Sequence, residues 1–291
     1  MPTKAALKKD PLVKPYLKWA GGKRQLLDEI TKHLPEGFET LRYYEPFVGA
    51  GALFFHCQPH QAVINDNNEQ LILTYKTIRS DVDQLIRTLR KHQKNNSEEY
   101  YYKLRGQDRD SIKFAEMPDV QKSARLIYLN KTCYNGLYRV NSKGLFNVPY
   151  GKYTNPSICD EAVLQAIHRY LNQENVNIDI LTGDFEDAVE KAGKGSFIYF
   201  DPPYHSPDKT NFTGYLAGGF GEDKQSRLRD VFVARSKKGA KCLLSNSDTP
   251  FIRSLYSDDG FEIIEVKAKR FINSDSTGRG EVGEVLVKSW K

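Results

Sequence analysis

The chain has 291 residues, of which 39% are hydrophobic and 27% charged, and it carries a formal net charge of +6. This composition excludes a disordered, collagen-like or coiled-coil protein and is typical of a globular chain with a buried core. No apolar run is long enough to cross a bilayer, and the first fifteen residues combine four lysines with no apolar segment, so we expect a cytoplasmic protein without a signal peptide. The positive charge favours a polyanionic partner, although many basic proteins bind no nucleic acid.

Seven runs rich in β-branched or aromatic residues, each bounded by turn residues, predict β-strands. In chain order they cover residues 42–45, 62–65, 176–181, 197–200, 242–245, 261–266 and 285–288. Amphipathic stretches that predict helices separate most of them, at residues 23–33, 52–57, 185–191 and 224–236. The alternation indicates an α/β fold with a mostly parallel, doubly wound sheet, which binds ligands at the carboxyl ends of its strands.

The alternation stops between about residues 67 and 170, where helical patterns at 83–92, 98–105 and 120–130 follow one another. A block of this length is too long for a simple connection and too regular for a disordered loop. It predicts a helical subdomain inserted between the second and third strands. Within it, residues 130–153 lose the helical period and contain Asn135-Gly136, which predicts a hairpin or an exposed loop.

The four cysteines are widely scattered and form no Cys-x-x-Cys pair. They are Cys57, Cys133, Cys159 and Cys242. Their spacing to the histidines does not match a zinc site, so we expect no bound metal and reduced thiols that pack in the interior.

Glycines lie between the first strand and the following helix, in Tyr44-Glu45-Pro46-Phe47-Val48-Gly49-Ala50-Gly51. Glycine lets a ligand approach the backbone there, and a helix N-terminus offers unpaired N–H groups. A Gly-x-Gly spacing is weak by itself, because many turns use glycine only to turn. The next strand ends in Asp66, whose carboxylate can accept both ribose hydroxyls of a nucleoside, although an acid there is also a common helix N-cap.

A second glycine-containing segment, Tyr16-Leu17-Lys18-Trp19-Ala20-Gly21-Gly22-Lys23-Arg24, precedes the first predicted helix. It can form a loop over a charged or planar ligand. Taken alone, it is better explained as a basic helix N-terminus beside a buried tryptophan.

The fourth predicted strand ends in Asp201-Pro202-Pro203-Tyr204. Proline fixes φ and donates no hydrogen bond, so the segment is rigid and its carbonyls are predicted to face outward, outside any strand ladder. An exocyclic amine has two N–H groups, and the Asp201 carboxylate and the Pro202 carbonyl can accept one each. Tyr204, predicted to be exposed, can stack on the same planar group. A turn that only ends the strand is the alternative, and it leaves the exposed aromatic unexplained.

With these motifs in order, the chain resembles the DNA adenine methylase (Dam) family of N6-adenine methyltransferases over nearly its whole length. The resemblance rests on Lys-Trp-Ala-Gly-Gly-Lys (18–23), Phe-Val-Gly-Ala-Gly (47–51), Asn-Asp (65–66), Tyr-Asn-Gly-Leu-x-Arg (134–139), Phe-Asn-Val-Pro-Tyr-Gly (146–151), Gly-Asp-Phe (183–185) and Asp-Pro-Pro-Tyr (201–204). Several independent motifs in one order are far more specific than any one of them.

The resemblance implies a seven-stranded Rossmann-like S-adenosylmethionine methyltransferase sheet with an inserted helical target-recognition domain. Residues 1–68 and 171–291 would form the catalytic domain, and residues 69–170 the recognition domain, with a hairpin at about 132–150. The implied cofactor is S-adenosylmethionine and the implied partner is double-stranded DNA, with no membrane association. We favour a monomer, and a dimer stays open.

The resemblance also implies roles for individual residues. Those that match positions contacting S-adenosylmethionine are Trp19, Lys23, Phe47, Gly49, Gly51, Asp66, Asp184, Phe185 and Asp201. Those that match positions contacting DNA are Lys18, Tyr134, Asn135, Leu137, Arg139, Asn141, Pro149 and Tyr150. Tyr134 resembles an intercalating residue, Arg139 a reader of a base edge, and Asn141 a phosphate contact. The catalytic residues would be Asp201, Pro202, Pro203 and Tyr204.

The implied reaction is site-specific methylation of adenine N6 within GATC, after the adenine is flipped out of the duplex. Methylation of cytosine N4 or of a protein glutamine stays open as an alternative. Cytosine enzymes of this kind usually carry Ser in place of Asp201, and a protein substrate would leave the inserted subdomain without a role. A repressor that retains the fold would not need intact cofactor and catalytic motifs.

Overall fold

The computed structural model of the chain describes residues 9–19, 26–206, 219–257, 260–269 and 281–291. Within these ranges, seven β-strands form one mixed sheet and are accompanied by ten α-helices. The strands are β1 (Arg42–Glu45), β2 (Gln61–Asp66), β3 (Asn177–Thr182), β4 (Ser196–Phe200), β5 (Lys241–Ser247), β6 (Glu262–Lys269) and β7 (Glu281–Lys288). The helices are α1 (Leu27–Lys32), α2 (Ala52–Cys57), α3 (Glu69–Lys94), α4 (Glu98–Arg105), α5 (Ser111–Glu116), α6 (Asp119–Thr132), α7 (Glu161–Leu171), α8 (Phe185–Ala188), α9 (Glu222–Lys237) and α10 (Pro250–Ser257).

The strands follow the spatial order β3-β2-β1-β4-β5-β7-β6. The first five are parallel, and β7 runs antiparallel between β5 and β6. The chain moves outward from β1 through β2 to β3 and then returns to the other side of β1 with β4. The carboxyl ends of β1 and β4 are therefore neighbours at the point where the strand order reverses, and open α/β sheets bind their ligands at such a point.

The predicted α/β class and all seven predicted strands are confirmed. The last three strands are longer than predicted, reaching Ser247 in β5 and Lys269 in β6, and starting at Glu281 in β7. Most of the added residues are polar or small, so a search for apolar runs stops short of them. The sheet positions them by hydrogen bonds to the neighbouring strand instead.

Three helix predictions need correction or restriction. The helix predicted at 185–191 ends at Ala188, because tighter turns closed by hydrogen bonds between residues three apart follow it. In one of them, the Ala192 N–H donates to the carbonyl of Val189. The helix predicted at 83–92 is the second half of α3, a 26-residue helix kinked at Asp81. Of the helix predicted at 23–33, α1 covers 27–32, and residues 23–25 lie outside the described part of the chain.

The helical insertion and the sheet share a hydrophobic core. One continuous cluster of buried side chains contains Tyr43 and Phe54 beside the sheet, and Leu126 and Tyr128 of α6. α3 connects the two regions, because it packs on β2 and β3 of the sheet and also on α6 and α7 of the insertion. Residues 69–170, the proposed recognition domain, therefore have no core that is separate from the sheet layer.

All four cysteines carry free thiols. Cys57, Cys133 and Cys242 are buried, and Cys159 is partly buried. Among the described residues, no three His, Cys, Asp or Glu side chains are grouped as a metal site would require. In the same residues, no helix combines the length and the apolar character that a bilayer crossing demands.

Candidate active site and recognition hairpin

The turn after β1 depends on two glycines with left-handed backbone angles. Gly49 has φ +49° and Gly51 has φ +71°. A Cβ on Gly51 would lie 2.8 Å from the hydroxyl oxygen of Tyr75, and one on Gly49 would lie 3.0 Å from the indole of Trp19. The Tyr75 hydroxyl donates to the Gly49 carbonyl over 2.9 Å. The turn is thus held against Trp19 and Tyr75 with no space for a side chain.

Asp66, at the end of β2, holds the same turn from the other side. Its two carboxylate oxygens accept the N–H groups of Gly49 (3.1 Å) and Asn68 (2.9 Å). Burial raises the pKa of Asp66 to about 6, although these two hydrogen bonds act in the opposite direction. The helix N-cap interpretation of Asp66 is wrong, because Asn68 caps α3 by accepting the N–H of Leu71 over 3.0 Å.

Asn65 in β2 was not among the predicted site residues, yet it connects the turns that follow β1 and β3. Its buried Nδ2 donates to the carbonyls of Pro46 and Gly183, over 3.0 Å each. Its own carbonyl accepts the N–H of Val48 over 2.8 Å. The turns after β1 and β3 are therefore joined through one buried side chain of β2. The sequence signal was a lone amide at the end of an apolar strand.

Glu45, the last residue of β1, is a second site residue absent from the predictions. It is 3% exposed and accepts the Tyr43 hydroxyl over 2.7 Å. Burial raises the pKa of Glu45 well above its ordinary value, and the negative charges of Asp201 and Asp66 act in the same direction. Asp201 and Asp66 thus lie within electrostatic range of Glu45 where the strand order reverses, and a cationic ligand would stabilise the ionised forms of these carboxyl groups.

An aromatic cluster lies beside this acidic region. Phe47 stacks on Phe185 with ring centroids 5.2 Å apart, and the ring of Phe220 meets Phe47 edge-on at 5.7 Å. The guanidinium of Arg227 lies 4.6 Å from the Phe185 ring and pairs with Asp184, which caps α8. Phe220 was not predicted, since a single aromatic between glycines carries little local signal.

Taken together, these groups fit a nucleoside that carries a positive charge. Asp66 offers acceptor oxygens for hydroxyl groups, and Phe47 and Phe185 offer flat apolar rings. Glu45 and Asp201 place carboxyl groups next to the glycine turn, and a bound cation would favour their ionised forms.

Asp201-Pro202-Pro203-Tyr204 follows β4 directly and lies beside the glycine turn, because β4 pairs with β1. The proline carbonyls were predicted to lie outside any strand ladder, and the carbonyl of Pro203 accepts a side-chain donor, Nε2 of Gln225, over 2.9 Å. Within the described part of the chain, no N–H or O–H group donates to the carbonyl of Pro202.

Tyr204 was predicted to be exposed, and the structure corrects this. Its ring is partly buried, and its hydroxyl donates to a carboxylate oxygen of Glu284 in β7 over 2.9 Å. Burial and the charge of Asp201 raise the pKa of Tyr204 well above its ordinary value, so it remains a neutral donor.

Residues 133–150 form an irregular hairpin after α6. Isolated bridges join Cys133 to Tyr150 and Val140 to Phe146. Arg139 donates from Nε to Asn147 over 2.9 Å, and Oδ1 of Asn141 accepts the N–H groups of Lys143 and Leu145 at the tip. The hairpin is therefore ordered by its own polar side chains.

The predicted DNA-contacting residues lie together on this hairpin, with differing exposure. Tyr134 is 51% exposed, and Asn135, Arg139 and Pro149 are also exposed. Leu137, Asn141 and Tyr150 are partly buried.

Lys18 reaches the hairpin from the N-terminal segment. Oδ1 of buried Asn130 accepts the Lys18 N–H over 2.9 Å, and Nδ2 donates to the carbonyls of Lys18 (2.6 Å) and Gly136 (3.1 Å). Nζ of Lys18 lies 4.6 Å from the centre of the Tyr153 ring.

Trp19 connects the hairpin to the glycine turn. Its ring stacks on Tyr138 with centroids 5.1 Å apart, while the same indole faces Gly49. Trp19 is thus partly buried between the hairpin and the glycine turn, where it packs against the main hydrophobic cluster. Lys23, which was predicted to contact the cofactor, lies outside the described residues.

Comparison with known proteins agrees with this geometry. Residues 19–272 match the family described as D12 class N6 adenine-specific DNA methyltransferase. The Type II methyltransferase M1.LlaDCHI of Lactococcus lactis subsp. cremoris is 45% identical over 279 residues, covering 96% of each chain. The Type II methyltransferase M.MjaIII of Methanocaldococcus jannaschii is 43% identical, covering 96% of this chain and 99% of the relative. The DNA adenine methylase of Haemophilus influenzae is 36% identical, with 98% and 97% covered. The chain therefore belongs to the D12 class N6 adenine-specific DNA methyltransferase family and is a DNA N6-adenine methyltransferase.

Proposed function

We propose that the enzyme uses S-adenosylmethionine to methylate adenine N6 within GATC in duplex DNA, after the adenine leaves the helix. The observation that carries the proposal is the adjacency of two turns. Asp201-Pro202-Pro203-Tyr204 and the glycine turn follow neighbouring strands, β4 and β1, where the strand order reverses. A methyl donor and an acceptor amine bound at these turns would meet at one edge of the sheet.

The cofactor roles are assigned from the chemistry of the side chains. Asp66 would accept the ribose hydroxyls, Phe47 and Phe185 would pack on the adenine ring, and Asp184 would accept its amine. Trp19, Gly49 and Gly51 would hold the methionine end, with Lys23 assigned to the same part of the site. When bound, S-adenosylmethionine supplies a methyl group on a positively charged sulfur. The carboxylates of Glu45 and Asp201 stabilise that charge.

Asp201 and Pro202 orient the target amine. Each N–H of the adenine amine donates to one acceptor, the Asp201 carboxylate or the Pro202 carbonyl, which directs the nitrogen lone pair toward the methyl group. Pro203 keeps the turn rigid through its fixed φ. Tyr204 stacks on the base, and its hydroxyl bond to Glu284 holds the ring in one orientation.

The amine lies inside a base pair in duplex DNA, so the adenine must be extruded before transfer. Tyr134 is the exposed ring that enters the disturbed duplex, with Asn135 beside it. Leu137, Arg139 and Pro149 read base edges, for which the guanidinium of Arg139 offers bidentate donors to guanine. The preference for GATC is supported by the resemblance of this hairpin to the Dam family.

The remaining DNA contacts lie around the hairpin. Asn141 uses Oδ1 within its own turn, which leaves its Nδ2 to donate to a phosphate. Lys18 contacts a base from the N-terminal segment, and Tyr150 supports the reading surface by packing on Tyr101, 5.3 Å between ring centroids. The protein acts as a cytoplasmic monomer on double-stranded DNA.

Labelled methyl transfer to matched duplexes tests the proposal. Three duplexes carry adenine, N6-methyladenine or cytosine at the target position on one strand of a GATC site whose other strand already carries N6-methyladenine. A fourth duplex keeps the target adenine and the methylated second strand but has one G·C pair of GATC replaced. We expect incorporation only into the first. Transfer to cytosine, equal transfer to the fourth duplex, or label in protein and none in DNA would each contradict it.

A further inference from the structure

Two buried side-chain amides hold the backbone on both sides of Tyr204. Gln225 in α9 is 1% exposed and Asn246 in β5 is 0% exposed. Gln225 donates from Nε2 to the carbonyl of Pro203 over 2.9 Å, and Asn246 accepts the N–H of His205 over 3.0 Å. Nδ2 of Asn246 donates to Oε1 of Gln225 over 3.0 Å. The two amides and the turn therefore form a closed set of hydrogen bonds.

His205 is fixed by three further contacts. Its carbonyl accepts the hydroxyl of Ser247, and its Nδ1 lies 2.9 Å from the hydroxyl of Thr249. Its ring lies against Phe251, with centroids 4.8 Å apart. The end of the turn is consequently anchored to β5 and to the start of α10.

Fixing these groups determines where the reacting acceptors point. The Pro203 carbonyl belongs to the peptide plane before Tyr204, and the His205 N–H belongs to the plane after it. Because both proline φ angles are also restricted, little backbone freedom remains in the turn. The Pro202 carbonyl and the Tyr204 ring are therefore oriented by groups outside the turn.

The cost of burying amides also favours a positioning role. A buried amide is unfavourable unless it is hydrogen-bonded, and apolar side chains would fill the space between α9 and β5 without that penalty. Among the described residues, no neighbouring strand pairs with the Pro203 carbonyl or the His205 N–H. The side chains of Gln225 and Asn246 provide the hydrogen-bond partners of these two groups instead.

We propose that Gln225 and Asn246 are positioning residues for methyl transfer, acting through the direction of the Pro202 carbonyl and of the Tyr204 ring. This inference rests on the proposed roles of Pro202 and Tyr204. Neither amide touches the substrate, so the expected effect is on the turnover of a bound complex and not on its affinity.

The test separates kcat from KM for matched variants on an adenine duplex. Gln225→Glu keeps the volume and the acceptor for Asn246 but, measured at a pH where the new carboxyl is ionised, has no donor for the Pro203 carbonyl. Gln225→Leu and Asn246→Leu remove the polar contacts. We expect kcat to fall roughly 10- to 100-fold, as for a small misplacement of reacting groups, with KM for DNA and cofactor within about threefold of the parent.

Thr77→Val is the matched control, because it breaks a buried hydrogen bond of 2.8 Å to Ser123, between α3 and α6. Thr77→Val should lower the melting temperature by about as much as Gln225→Leu does, and it should leave kcat unchanged. If Gln225→Leu fails to fold, Gln225→Glu and Asn246→Asp supply the measurement.

A parent-like kcat in Gln225→Glu and Asn246→Leu would overturn the inference and leave the proposed function standing. A parent protein that methylates no adenine duplex would overturn the proposed function, and the inference with it.

Discussion

Replacing Asp66 by asparagine should stabilise the free protein while weakening cofactor binding. The pKa of Asp66 rises from an ordinary value of 3.8 to about 6 on folding, because the carboxyl is buried. Between these two pH values the folded state holds a proton that the unfolded state has released. The free energy of unfolding therefore falls as the pH rises from about 4 to about 6 and stays lower above that.

The size of the effect follows from the two pKa values. A shift of this size corresponds to at most about 3 kcal/mol of destabilisation at pH 7. Asp66→Asn removes the charge but leaves one acceptor oxygen for two backbone donors, which costs about 1 kcal/mol. We expect a net gain of about 1 to 2 kcal/mol, or a melting temperature higher by roughly 2 to 6 °C.

Thermal unfolding without cofactor, at pH 7.5 and at pH 4.5, measures the gain. It should be larger at pH 7.5, because Asp66 of the parent is mostly protonated in the folded state at the lower pH. Calorimetric titration with S-adenosylmethionine should show a loss of affinity, since an amide replaces one hydroxyl acceptor by a donor. If Asp66→Asn changed the melting temperature equally at both pH values, the explanation of the pKa shift would be refuted. Unchanged affinity for S-adenosylmethionine would refute the ribose contact.

Three further substitutions test the assigned roles. Asp201→Ala should abolish methyl transfer while DNA binding survives, and unchanged turnover would exclude Asp201 as an acceptor of the amine. Arg139→Ala should reduce discrimination at one guanine by roughly 1 to 3 kcal/mol, measured by binding to specific and random duplexes. The control Lys143→Ala, at the exposed hairpin tip, should leave that discrimination intact; equal losses on both duplexes with Arg139→Ala would indicate a phosphate contact. Tyr204→Phe should lower kcat by less than about tenfold, because stacking survives. In that background Glu284→Leu should add nothing further to the loss of kcat, and a fully additive loss would mean that Glu284 does not act through Tyr204.

The central strands could be predicted because each contains an apolar run that the sheet buries on both faces, whereas β3 at the edge of the sheet alternates mostly between exposed and buried residues. Tyr43 and Tyr44 in β1 are buried, as are all five residues of β4. The first half of α3 was missed for a related reason. Leu71, Ile72, Thr74, Tyr75, Thr77 and Ile78 are all buried, so this part of the helix has no clear polar face. Burial on several sides removes the period on which helix prediction depends.

The chemistry of the catalytic turn could be predicted from four consecutive residues, but its anchors could not. Gln225 lies 22 residues from Pro203, and Asn246 lies 41 residues from His205. Glu284 lies 80 residues from Tyr204. These contacts arise only when β4, β5 and β7 are assembled side by side, and no local pattern encodes them.

The central claim is tested most directly in cells. The chain is expressed in a bacterium that lacks its own adenine methylase, and methylated bases are mapped across the genome. We predict N6-methyladenine at GATC on both strands, and none when the expressed chain carries Asp201→Ala. Absence of N6-methyladenine, methylation at cytosine alone, or adenine methylation unrelated to GATC would contradict the account.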